Sequence, residues 1–111
     1  MTRRLPKHDY RHFPPAYFDH LRRFGAFGDL KIGPLSPQDA QSIRYDLYTF
    51  RSKLREAIPT GDPIARELGD IAAQMILRII PAEDGQQRWL VMQRHPIYTA
   101  GVVPLAEGDA T

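Results

Sequence analysis

Between Ser36 and Ile58 apolar residues recur at alternating steps of three and four: Ala40, Ile43, Leu47, Phe50, Leu54 and Ala57. That spacing keeps one side of an α-helix apolar and predicts about six turns with a single buried seam. Both ends are marked. Ser36 is an N-cap, Pro37 suits the first helical position, and Asp39 stands three after the cap. Ile58 precedes Pro59, which disfavours helical geometry. After Thr60-Gly61, Asp62-Pro63 repeats the cap-plus-proline opening. Ile64, Leu68, Ile71 and Met75 then line one face of a second helix over 62–74. Joined by so short a turn, the two helices should pack as a hairpin.

Upstream, Pro15 opens a helix with Tyr17, Phe18, Leu21 and Phe24 as its apolar stripe, and Gly25 and Gly28 read as its close. In the segment Asp29–Leu35, Leu30 and Ile32 alternate with Asp29 and Lys31, the pattern of a short strand. Downstream, Met75 to Ile80 is rich in β-formers, Pro81 to Gly85 makes a turn, and Arg88 to Arg94 returns as the partner strand. Alternation puts Arg88, Leu90, Met92 and Arg94 on one face and Trp89 and Val91 on the other, and the second pair is expected to face the core. Ile97 to Val103 reads as a further extended segment.

The predicted class is therefore α+β: helix, short strand, two amphipathic helices packed as a hairpin, then a β-hairpin. This is a winged-helix-like order with atypical lengths. The long helix exceeds what that fold uses, and the stretch expected to read DNA, 62–74, carries Arg66 as its only base beside Asp62, Glu67 and Asp70. The expected organisation is a flexible basic arm over 1–13, one globular domain over 14–104, and a flexible tail over 105–111.

At 111 residues and 42% hydrophobic content the chain supports one modest core. No apolar run approaches the ~20 residues of a membrane span, and the basic start is not followed by the apolar stretch of a secretory signal. With no cysteine, disulfides, thiolate metal sites and thiol nucleophiles are excluded, and a cytoplasmic location is expected. The net charge is only +2, but it is unevenly placed. Arg3, Arg4, Lys7, Arg11, Arg22 and Arg23 face only Asp9 and Asp19 in the first part of the chain. From His95 onward there is no Lys or Arg, while Glu107 and Asp109 are acidic.

One position beyond the apolar seam of the long helix runs a second row, Arg44, Tyr48, Arg51 and Arg55. No acid stands four residues from any of these arginines to neutralise it. Guanidiniums in register along a helix can follow phosphates, and a phenol among them can stack on a base. The arm residues Arg3, Arg4, Lys7 and Arg11 would add phosphate grip. His8 and His12 are spaced i, i+4, but no carboxylate completes a metal triad, and neither a phosphate loop nor a nucleophile motif is present. No cofactor is implied. The expectation is a small non-enzymatic nucleic-acid-binding protein, with DNA favoured, acting by occupancy and well suited to a homodimer. The alternative is a protein–protein interaction module or inhibitor, of the small cysteine-free kind common among phage and mobile-element proteins. It would use the same arginine–tyrosine face as its interface.

Overall fold

The structure, a computed structural model, describes residues 9–95. Arg3, Arg4, Lys7 and His8, and the segments expected over 97–103 and 105–111, lie outside the described residues. The elements follow the expected order: α1 (Pro15–Phe27), β1 (Leu30–Leu35), α2 (Pro37–Ala57), α3 (Pro63–Ala72), β2 (Met75–Pro81) and β3 (Arg88–Arg94). The protein is α+β, with three helices packed on a three-stranded antiparallel sheet of order β1-β3-β2.

Helix α2 is capped as its sequence indicates, with the Ser36 hydroxyl accepting from the Asp39 N–H at 3.0 Å. Its seam supplies Ala40, Leu47, Phe50 and Leu54 to the core, with Ile43 and Ala57 partly buried beside it. At its end the chain tightens into one 3₁₀ turn over Ile58–Thr60 before Gly61 reverses it. Helix α3 then buries Leu68 of the predicted row, with Ile71 partly buried, and completes its inner face with the small residues Ala65, Gly69 and Ala72. Ile64 remains 44% exposed, and Met75 belongs to β2. Close approach of helices explains the difference, because small side chains at the contact let neighbours press in. A Cβ on Gly69 would lie 2.7 Å from the Cδ1 of Ile58, and one on Gly25 would lie 2.8 Å from that of Ile71. Gly25 thus sits inside α1 as a packing position, and the helix continues to Phe27, where Gly28 closes it.

The sheet contributes its inner face to the same core. Leu30, Met92 and Leu77 are cross-strand neighbours, as are Ile32, Leu90 and Ile79. Leu90 and Met92 are fully buried, so the expectation that Trp89 and Val91 face the core is overturned. The register gives the reason. Arg78 pairs with Val91, and a strand's alternation forces Arg78, Val91 and Trp89 onto the same, outer side. Six residues, Ala82–Gln87, connect the strands. Asp84 accepts from the N–H of Gln86 and Gln87, and Gly85 takes the positive φ that the turn requires. On β1 the pairing slips between Ile32 and Leu35. There Gly33 has φ +127°, and a Cβ would come within 2.9 Å of the Leu35 nitrogen.

Residues 9–13, read from the sequence as part of a flexible arm, pack on the body: Tyr10–His12 forms a 3₁₀ turn whose Tyr10 is 1% exposed. The Tyr10 hydroxyl donates to Asp62 Oδ2 at 2.5 Å, Arg11 pairs with the same carboxylate, and Phe13 packs on Phe50 with ring centroids 5.0 Å apart. Asp62 meanwhile caps α3, accepting from the N–H of Ile64 and Ala65. One carboxylate therefore ties the first residues of the body to the second helix of the hairpin.

The Tyr10 hydroxyl, then the Ala65 and Ile64 amides and Arg11, hold Asp62 below the usual carboxylate range, against the opposing effect of its burial. A carboxyl whose pKa is lower folded than unfolded stabilises the fold above its unfolded value, and that contribution is lost as pH falls through the folded one. The urea midpoint should accordingly drop as pH is lowered below ~4. Asp62→Asn should lower it already at pH 7 and flatten the acid limb. Tyr10 shows the opposite sign. Burial and Asp62 raise it to about 12, so its contribution is retained at neutral pH and lost only as pH climbs from ~10 towards that value.

Candidate interaction surface

The row Arg44, Tyr48 and Arg51 does lie on one side of α2, and that side faces the outer edge of β2. Because the sheet order is β1-β3-β2, β2 is an edge strand, and alternate residues turn their backbone groups away from β3. Those of Met75 and Leu77 are met by side chains of α2. Arg51 Nη1 donates to the Met75 carbonyl at 3.2 Å, and Arg44 Nε donates to the Leu77 carbonyl at 3.2 Å. The Leu77 N–H donates to the Tyr48 hydroxyl at 2.9 Å. The tyrosine ring lies between the two guanidiniums, 4.6 Å from that of Arg51 and 5.5 Å from that of Arg44. The three side chains take the place a fourth strand would occupy. Residues rising along α2 meet residues descending along β2, so helix and strand run antiparallel.

This arrangement separates the four members of the row. Arg44, Tyr48 and Arg51 are partly buried and engaged with backbone, whereas Arg55 is exposed, one turn further along α2 than Arg51, which already meets the first residue of β2. Arg11, assigned to a phosphate-gripping arm, is bound into the folded body by Asp9 and Asp62 and stacks 4.8 Å over Tyr10. Of the 15 Lys and Arg, Arg3, Arg4 and Lys7 lie outside the described residues, as do Glu107 and Asp109 among the 13 acids. Acids and bases in the described body are therefore nearly balanced. Helix α3 presents Arg66 beside Glu67 and Asp70, a poor surface for a DNA groove. No three His, Asp or Glu side chains converge as a metal site among the described residues.

The surface that the sequence did not single out is the outer face of the sheet. Along its rows Lys31, Val91 and Arg78 are cross-strand neighbours, Trp89 pairs with Ile80, and Gln93 pairs with Ile76. Ile76, Ile80, Trp89 and Val91 are partly exposed, and none of them belongs to the core that the helices cover. Lys31 Nζ lies 5.0 Å over the Trp89 ring, and Arg78 Nη1 reaches Gln93 Oε1 at 3.4 Å. A shallow depression of about 290 Å³ runs between Lys31 and Arg78 over Val91, Ile80 and Gln93. No Asp or Glu occupies an outward position on any of the three strands. The signal was present in the sequence as Arg78, a base in the middle of an apolar strand, but only the register carries it across to Val91.

A second depression, of about 250 Å³, lies among Asp9, Arg11, Lys53, Glu56, Thr60 and Asp62. Its charges answer one another through Arg11–Asp9, Arg11–Asp62 and Lys53–Glu56, which leaves little for a ligand. Phe27 and Tyr45 are strongly exposed, on different helices, as isolated surface aromatics commonly are.

If Tyr48 serves the edge of β2, its hydroxyl has a measurable role in the free protein. Tyr48→Phe leaves the Leu77 N–H without its acceptor and should cost about 1 kcal/mol in urea unfolding. Amide exchange at Leu77 should accelerate roughly fivefold, while amides in α1 stay unchanged. An unaltered Leu77 rate would show that the hydroxyl is dispensable to the strand.

Set against known proteins, the chain matches no family model, no curated protein and no solved structure, and the chemistry of this surface rests on its own residues.

Proposed function

We propose that this protein is a non-enzymatic interaction module that docks a partner protein on the outer face of its sheet. One observation carries the reading: Ile76, Ile80, Trp89 and Val91 form a contiguous apolar patch outside the core, on a face over which no described element packs. An antiparallel sheet commonly leaves a polar second face in water, but here the second face is apolar, and a partner can supply the layer that would cover it. Trp flanked by Arg and branched aliphatic residues is also the composition that concentrates binding energy in protein interfaces.

The expectation of DNA binding through α2 is the competing reading. It would require Arg44 and Arg51 to serve phosphates while holding β2. Support for it comes from the basic residues Arg3, Arg4 and Lys7 and from the exposed Arg55.

Two measurements separate the readings. In fluorescence anisotropy with labelled duplex DNA, single-stranded DNA and RNA, binding at ~50 mM salt should be weak and should not distinguish wild type from Arg55→Gln. In capture from an extract of the source cells, Ile80→Glu with Val91→Glu should lose proteins that wild type and Arg55→Gln both retain. Micromolar nucleic-acid binding that collapses at ~200 mM salt, survives the sheet substitutions and is lost in Arg55→Gln would instead establish the α2 surface.

A further inference from the structure

From the charge and dimensions of the same face we infer the chemistry of its occupant: an amphipathic helix of a partner protein with carboxylates along the borders of its apolar stripe. The inference rests on the reading of the sheet face as a docking surface, and it adds what would be recognised there.

The sheet places one cation on each flanking strand. Lys31 on β1 and Arg78 on β2 are both cross-strand neighbours of Val91 on the central strand. With strands ~4.8 Å apart, their Cα atoms are separated by roughly 10 Å, which is close to the diameter of a helix with its side chains. A helix lying along the sheet would rest its apolar stripe on Val91, Ile80, Ile76 and the edge of Trp89. Acids on either flank would then reach Lys31 and Arg78. Neither cation has a carboxylate partner among the described residues. Arg78 meets only the neutral amide of Gln93, and Lys31 only the ring of Trp89. Carboxylates would turn both into charge-assisted pairs over an apolar floor, where water is largely excluded.

The same geometry disfavours the other occupants. A nucleobase would have to displace the Lys31 ammonium from the face of Trp89, the one aromatic ring among the described residues on this side of the sheet. A second copy of the chain would set Lys31 and Arg78 against their own kind. Two strands of seven residues and one of six also offer a footprint of only roughly 300 Å², too small to seat the ~20–30 residues a side of a typical interface between folded proteins. A short helical segment fits that area.

The test uses the full chain and two fluorescein-labelled synthetic helices of equal length and equal leucine stripe, one bordered by Glu and the other by Lys. Binding is read from anisotropy and from quenching of Trp89, the only tryptophan in the protein. The Glu helix should bind wild type at least ~10-fold more tightly than the Lys helix, a difference of ~1.4 kcal/mol. In Lys31→Glu with Arg78→Glu the preference should reverse, with circular dichroism showing that the variant is folded. Equal binding of both helices, abolished by Ile80→Glu, would overturn the acidic partner while leaving the docking face in place. Failure of both helices to quench Trp89 at ~1 mM would overturn the face as well. A blue shift of Trp89 that grows with protein concentration alone would assign it to a second copy. Displacement of the Glu helix by oligothymidine would assign it to nucleic acid.

Discussion

An edge strand leaves a row of backbone donors and acceptors that must be satisfied, and in this protein α2 satisfies those of Met75 and Leu77 in β2. The helix is held by its seam of Ala40, Leu47, Phe50 and Leu54 in the core, and that fixed position delivers Arg44, Tyr48 and Arg51 to the strand beside it. Stacking of both guanidiniums on one ring keeps three flexible side chains in a single arrangement. Sheet, helix hairpin and edge are thus coupled through one helix. Over residues 75–77 the edge is thereby closed to another strand.

With that edge closed, the sheet's remaining apolar surface is its outer face. The helices occupy one side completely, and the strands are too few to bury the other against themselves. The cost of leaving Ile76, Ile80, Trp89 and Val91 partly wet is moderated by long cationic side chains lying over them, Lys31 over Trp89 being the clearest instance. Such cover is easily moved aside.

Much of the architecture was legible from the pattern of residues. The three α-helices and three strands stand close to where periodicity and capping place them, from the Ser36 and Asp62 caps to the Asp84-Gly85 turn. The errors share a physical cause. Tyr10 and Phe13 sit in a polar, proline-bounded stretch with no period, and only their distant partners Asp62 and Phe50 bring them into the core. The buried face of α3 was misjudged because size alone suggested Ile64, whereas packing against α1 and α2 selects Ala65, Gly69 and Ala72.

The arginine–tyrosine row and the hairpin faces show where the sequence stops. Periodicity established that Arg44, Tyr48 and Arg51 share a side of α2, and that Trp89 and Val91 share a side of β3, because both follow from local backbone geometry. What each side meets is a property of other segments. The row met an edge strand more than twenty residues away, and a six-residue connection left the hairpin register open until Arg78 was paired with Val91. Local geometry fixed the elements and their faces. Only the tertiary structure, by bringing non-local backbone and side chains within hydrogen-bonding reach, decided which faces are spent on the fold and which stay partly exposed.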